Sequence, residues 1–120
     1  MNEADFAGLG SLFAPGASWH VCGRSPVSAK LPIPEFVAVM KNLAAAPNFG
    51  GMTLTIRTVT EQAGRVAVEW ESVIRWTDRD DYPNCGIFLL TISGGKITDA
   101  REYLDTYWSS YVMLGQDAAA

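Results

Sequence analysis

The segment from Arg65 to Trp76 constrains the fold more than any other, because it alternates without interruption. Successive side chains of a strand point to opposite faces. Val66, Val68, Trp70, Ser72, Ile74 and Trp76 therefore share one face, and Arg65, Ala67, Glu69, Glu71, Val73 and Arg75 the other. The first face is interior, or lines a cavity. Neighbouring segments repeat the period. Thr53 to Thr60 reads as a strand that turns through Gln62-Ala63-Gly64 into this one, and the acidic turn Asp78-Arg79-Asp80-Asp81 leads on to Asn84 to Ser93. Gly94-Gly95 then makes a tight hairpin into Lys96 to Asp105. Both faces of Asn84 to Ser93 are mostly apolar, which predicts a strand buried on both sides.

The N-terminal part has a different period. Phe6, Leu9 and Phe13 recur on one side of a short helix over Asp5 to Phe13, which Ala14-Pro15-Gly16 stops. Ser18 to Cys22 reads as a brief strand, and a loop rich in Gly, Ser and Pro follows. A second helix begins near Pro34, with Phe36, Val39, Met40, Leu43 and Ala44 as its buried stripe, and ends at Pro47. The order is helix, strand, helix, then four strands. Helices gathered on one side of a curved antiparallel sheet make an α+β domain. The chain of 120 residues is long enough for one core, so residues 1–115 read as a single domain and 116–120 as a frayed tail. The aromatic end segment, with Tyr107, Trp108 and Tyr111, is expected to cap the core, cover a cavity mouth or form a dimer contact.

Charge and cysteine content narrow the function. With 9 Lys and Arg against 13 Asp and Glu, the net charge is -4, and no basic stripe exists for a phosphate backbone or an anionic membrane. Neither nucleic acid nor membrane is an expected partner. Cys22 and Cys85 form no disulfide framework and lack zinc-ligand spacing, so they read as two small buried residues. Glu3 and Asp5 stand where a signal peptide carries positive charge, and the longest apolar run, Ile87 to Leu90, is far too short to span a bilayer. A soluble, cytoplasmic protein is expected.

On the last strand, Thr98, Ala100, Glu102 and Leu104 face one way. Glu102 is then a lone carboxylate in a weakly polar row, where desolvation raises its pKa toward the range useful for moving protons. The competing reading pairs it with an arginine across the sheet, for example Arg57 or Arg75, or leaves it near the solvent rim. His20, the only histidine, gains a role if its strand places it across the cavity from Glu102. Trp70 offers a flat wall beside Ser72, and Ser72 or Asn84, with Tyr82 nearby, either orients a ligand by a hydrogen bond or satisfies a neighbouring carbonyl. No nucleophile elbow, phosphate loop or paired-metal spacing occurs, so no metal site and no cofactor are expected. What remains is cofactor-free proton chemistry on a small apolar molecule, or binding without chemistry.

Three segments carry a family likeness. Ala4 to Trp19 resembles the second helix and first strand of the SnoaL-like branch of the NTF2-like superfamily, which also holds ketosteroid isomerases and limonene epoxide hydrolases. Gly64 to Trp70 resembles its central strand, and Gly95 to Thr106 its closing strand. The resemblance implies a cone in which a curved sheet wraps helices, and a fold that hosts several reactions. It places the acid or base carboxylate of the polyketide cyclases on Glu102 and, through a loose alignment, the ketosteroid isomerase base near His20. The central-strand Arg and Asp of the epoxide hydrolases fall on Trp70 and Ser72, which disfavours epoxide hydrolysis. The cyclases' histidine falls on Phe88, a wall residue here. The family's long first helix has no counterpart, which implies either that the true start lies upstream or that the cone is open on that side, with an exposed apolar slot that favours a homodimer. The resemblance thus implies an isomerase, cyclase or dehydratase acting on a small hydrophobic molecule, or else a non-catalytic binding or dimerisation module.

Overall fold

A computed structural model of the chain describes residues 6–115. The expected helix start at Asp5 and the tail from Gln116 to Ala120 lie outside the described residues. The elements are α1 (Phe6–Ser11), β1 (Ser18–Val21), β2 (Ala29–Pro32), α2 (Ile33–Ala45), β3 (Phe49–Gln62), β4 (Arg65–Trp76), β5 (Tyr82–Ser93), β6 (Lys96–Leu104) and α3 (Thr106–Leu114). The strands form one curved, unclosed sheet in the order β2-β1-β6-β5-β4-β3. The expected α+β architecture is therefore present, with two elements added. β2 lies inside the segment read as loop, and α3 is built from the aromatic end segment.

Strands β3 to β6 form an antiparallel meander. Its two outer hairpins turn through Ala63-Gly64 and Gly94-Gly95, and all four residues have positive φ. That pairing of left-handed residues matches the twist of the flanking strands. Irregularities in β3 at Phe49/Gly51 and Ile56/Thr58 are bulges of the kind that bend a strand. β1 joins β6 in parallel, with Val21 opposite Glu102. No local pattern announces that long-range pairing.

α2 starts as proline allows, with Pro34 in its first turn and no side-chain cap. Its Ile33 N–H instead donates to the Ala17 carbonyl at 3.2 Å, which ties the helix to the chain before β1. Ile33 and Phe36 are its buried residues, and they join Phe13, Ala17, Trp19 and Ala100 in the core. Trp19 organises this cluster. It stacks on Phe36 with centroids 4.2 Å apart and meets Phe13 and Phe88 edge-on at 6.2 and 5.2 Å, in the arrangements aromatic pairs prefer.

The expectation that β5 is buried on both faces does not hold. Tyr82 is buried, but Pro83, Cys85 and Ile87, which point the other way, are exposed. α2 and α3 both contribute side chains to a cavity on the inner face of the sheet, and Trp108 of α3 meets β5 at its Pro83 end. Cys85 is exposed and Cys22 only half-buried, so neither is the buried cysteine that was expected. No described helix is long and apolar enough to cross a membrane.

Candidate functional site

The alternation of all six strands converges on a cavity of about 240 Å³ between the sheet and α2 and α3. β4 contributes Trp70, Ser72 and Ile74, as its period requires. β5 contributes Tyr82, Asn84 and Phe88, β6 contributes Glu102 and Leu104, and β1 contributes Trp19 and Val21. Of the residues singled out in the sequence, Glu102, Trp70, Ser72, Asn84 and Phe88 all border this one space.

His20 does not. On a four-residue strand whose Trp19 and Val21 enter the cavity, the residue between them points to the outer face. There His20 sits in register with Lys30 of β2 and Arg101 of β6. The juxtaposition of His20 with Glu102 across the cavity is thus not formed, and the reason is strand parity.

Glu102 sits between aromatic neighbours. Phe88 is its register partner on β5, and Trp19 Nε1 donates a 2.9 Å hydrogen bond to its Oε1. Glu102 borders the cavity and is half-buried by the protein around it. Desolvation by this enclosure pushes its pKa above the ordinary carboxylate value, and the Trp19 hydrogen bond opposes that rise only in part. The arginine pairing considered from sequence is not made. Arg57 lies 3.7 Å from Glu71, and Arg75 donates to Thr53 Oγ1 at 2.9 Å, both on exposed surface. Among the described residues no basic group pairs with Glu102.

A second polar group lies on the same wall. Asn84 Nδ2 donates to the Tyr82 hydroxyl at 2.7 Å and reaches the Asp105 carbonyl at 3.3 Å, while Asn84 Oδ1 accepts from the Cys85 N–H at 2.8 Å. Asn84 is thereby committed to positioning Tyr82. Burial pushes the Tyr82 phenol above its ordinary pKa; hydrogen bonds to Ser109 and Asn84 oppose this, and the charges of Glu102 and Asp105 add to it. Tyr82 is then a neutral phenol in a cavity wall, able to donate one hydrogen bond. Sequence reasoning noted it only as a neighbour of Asn84. The signal was its parity, since Tyr82, Asn84 and Phe88 share one row of β5. Trp19 was likewise not singled out, because its contact with Glu102 depends on the parallel pairing of β1 with β6.

The walls are flat and apolar. Trp70, 3% exposed, stacks on Phe88 with centroids 5.1 Å apart. Among the described residues no three His, Cys, Asp or Glu side chains converge as metal ligands. The arrangement offers one carboxyl able to exchange a proton and one phenol able to orient an oxygen, inside a hydrophobic space.

The sequence profile of the SnoaL-like domain matches residues 1–100. Among solved structures, the chain is similar to a protein from a soil-derived mobile gene cassette, at 21% identity and a TM-score of 0.75, covering 90% of this chain and 83% of that one. It is also similar to a Catenulispora acidiphila protein with a ketosteroid isomerase-like fold, in complex with trimethylamine, at 16% identity and a TM-score of 0.76, covering 99% and 88%. A third similar structure is TerC co-crystallised with polyporic acid, at 21% identity and a TM-score of 0.71, covering 99% and 89%. No curated protein matches significantly.

Proposed function

Because the chain belongs to the SnoaL-like domain family, we propose that its cavity binds a small hydrophobic molecule on which Glu102 transfers a proton, without a cofactor, in an isomerisation, cyclisation or dehydration. The observation that carries this reading is the single unpaired carboxyl at an apolar wall, with its proton affinity raised by burial. Trp70 and Phe88 flank the ligand. The Tyr82 hydroxyl, held by Asn84, orients a ligand oxygen, and Ser72 borders the same space. His20, on the outer face, has no part in the chemistry. The neighbours solved with trimethylamine and with polyporic acid support a small-molecule role.

The test is Glu102→Gln, which keeps the shape and the acceptor for Trp19. Proton-transfer turnover on a panel of enolisable ketones and hydroxylated aromatics should fall by roughly 100-fold or more, the range such a group supplies. Turnover within a few-fold of the native protein would overturn the assignment.

A homodimer is a second element of the proposal, supported by exposed apolar side chains along the sheet. Ile56 and Val59 of β3, in register with Trp70 and Val68 of β4, are 49% and 62% exposed, and a partner copy would cover them. Sedimentation velocity showing a monomer at all attainable concentrations would refute it.

A further inference from the structure

The cavity wall carries an acid and no base. Of the side chains that border it, only Glu102 and Tyr82 ionise, and both become negative when they do. The cations of adjacent strands point away. Lys30 and Arg101 flank His20 on the outer face, and Arg57 and Arg75 are engaged on exposed surface with Glu71 and Thr53. Trp19 supplies one hydrogen bond to Oε1 of Glu102, and among the described residues nothing donates to Oε2.

A carboxyl enclosed in this way can avoid an uncompensated charge by two routes. It can keep its proton, or it can receive a cation from outside. An aliphatic amine is far more basic than a carboxylate, so when the two meet the proton resides on nitrogen. The resulting pair is neutral as a whole. The desolvation that opposes a lone carboxylate here therefore does not oppose the pair to the same degree. Trp19, Trp70, Phe36 and Phe88 border the same space, and aromatic faces attract organic cations as well as hydrocarbon. An anionic ligand would instead place a second negative charge beside Glu102 with no cation to offset it.

We infer that the cavity is a receptor site for small hydrophobic amines, the ammonium group seated on the Glu102 carboxylate and the hydrocarbon lying among Trp19, Trp70 and Phe88. This rests on the reading of the cavity as a small-molecule site, but not on proton transfer by Glu102 to a substrate carbon or oxygen. The volume of about 240 Å³ suits a molecule with a single ring.

Three probes of similar size and different charge test it: benzylamine, benzyl alcohol and benzoate, titrated into the full chain by calorimetry at neutral pH. Benzylamine should bind at least about tenfold more tightly than benzyl alcohol, and benzoate should bind least. In Glu102→Gln the preference for the amine over the alcohol should fall below about threefold. Thermal unfolding of the variant confirms that it is folded. Equal binding of amine and alcohol by the native protein would overturn the inference. So would failure of benzylamine to bind at millimolar concentration, or an amine preference that survives in Glu102→Gln. The two readings part cleanly in that variant. Lost turnover with an unchanged amine preference removes the amine site alone, and retained turnover with a lost preference removes the proton-transfer reading alone.

Discussion

Trp19 Nε1 donates a 2.9 Å hydrogen bond to Glu102 Oε1 across the parallel β1–β6 pair. The donor is held in place by packing rather than by other hydrogen bonds, because the Trp19 ring stacks on Phe36 at 4.2 Å and is wedged by Phe13 and Phe88. One core residue thus fixes the fold at the β1 end of the sheet and moderates the proton affinity of the carboxyl. Burial raises the Glu102 pKa, and this bond is the one interaction that lowers it.

Trp19→Phe tests that division of labour. It retains a ring and removes the donor, so the Glu102 pKa should rise further. Carbon-detected titration of the carboxyl should show the upward shift, and any pH–rate limb due to Glu102 should move to higher pH. The lost indole should cost about 1–3 kcal/mol of stability. An unchanged or lowered carboxyl pKa would show that the hydrogen bond does not govern the site.

Glu102 should also cost the protein stability at neutral pH. The folded chain holds the carboxyl proton over a pH range in which an unfolded chain, titrating at the ordinary carboxylate value, has already released it. Stability therefore falls as pH rises from the unfolded value through the raised folded one, and it stays reduced above. Glu102→Gln removes the group that titrates. Urea unfolding should find the variant more stable than the native protein at pH 7, with the gap shrinking toward zero by about pH 3.5. A gap independent of pH would mean that the carboxyl is not desolvated as described.

How much of the fold and of the site is legible in the sequence follows from which signals are local. The parity of β4 put Trp70 and Ser72 on the cavity side, and the row Ala100, Glu102, Leu104 did the same for the carboxyl. Both are period-2 arguments over long strands, where the pattern repeats often enough to be read. β1 is four residues long, too short for parity to be tested against itself, and the cavity-facing direction on which a role for His20 depends is taken by Trp19. β2 is equally short and ends in Pro32. α3 was missed because Tyr, Trp and Val in its sequence favour strands. Its boundary signals were present all the same, with Asp105 at the N-cap and Gly115, in the left-handed conformation, just past the end. The partner of Glu102 depended on pairing between strands about eighty positions apart, which no local period encodes.

Asp105 provides a test of α3 as part of the cavity wall. Its Oδ1 accepts from the Trp108 N–H at 3.0 Å, and the helix it starts supplies Ser109 and Met113 to the cavity. Asp105→Ala should lose about 1 kcal/mol and raise amide exchange in the first turn of α3. Ligand affinity should weaken at the same time. Asp105→Ser, which can still cap, should restore most of both. Normal exchange protection in Asp105→Ala would show that α3 is held by its packing alone.

Gly86 sets the depth at which Trp70 lies. The two are register partners on β4 and β5. A Cβ at Gly86 would fall against the Tyr103 carbonyl oxygen, 2.8 Å from Trp70 Cζ2 and 3.1 Å from Leu104 Cα. Two of those three atoms belong to backbone and cannot swing aside. Gly86→Ala must therefore lift the indole toward the cavity or part β5 from β6 where Gly86 meets Leu104. Either response should cost about 1–3 kcal/mol, visible in denaturant unfolding and in a shifted tryptophan emission, and it should reduce binding in the cavity that Trp70 walls. Gly94→Ala is the control. Gly94 has φ +60 but open space around its missing Cβ, so the substitution should cost about 1–2 kcal/mol through backbone conformation while leaving cavity binding intact. If Gly86→Ala unfolded at the native midpoint with unaltered emission, the close approach of Trp70 to the sheet would not depend on the glycine.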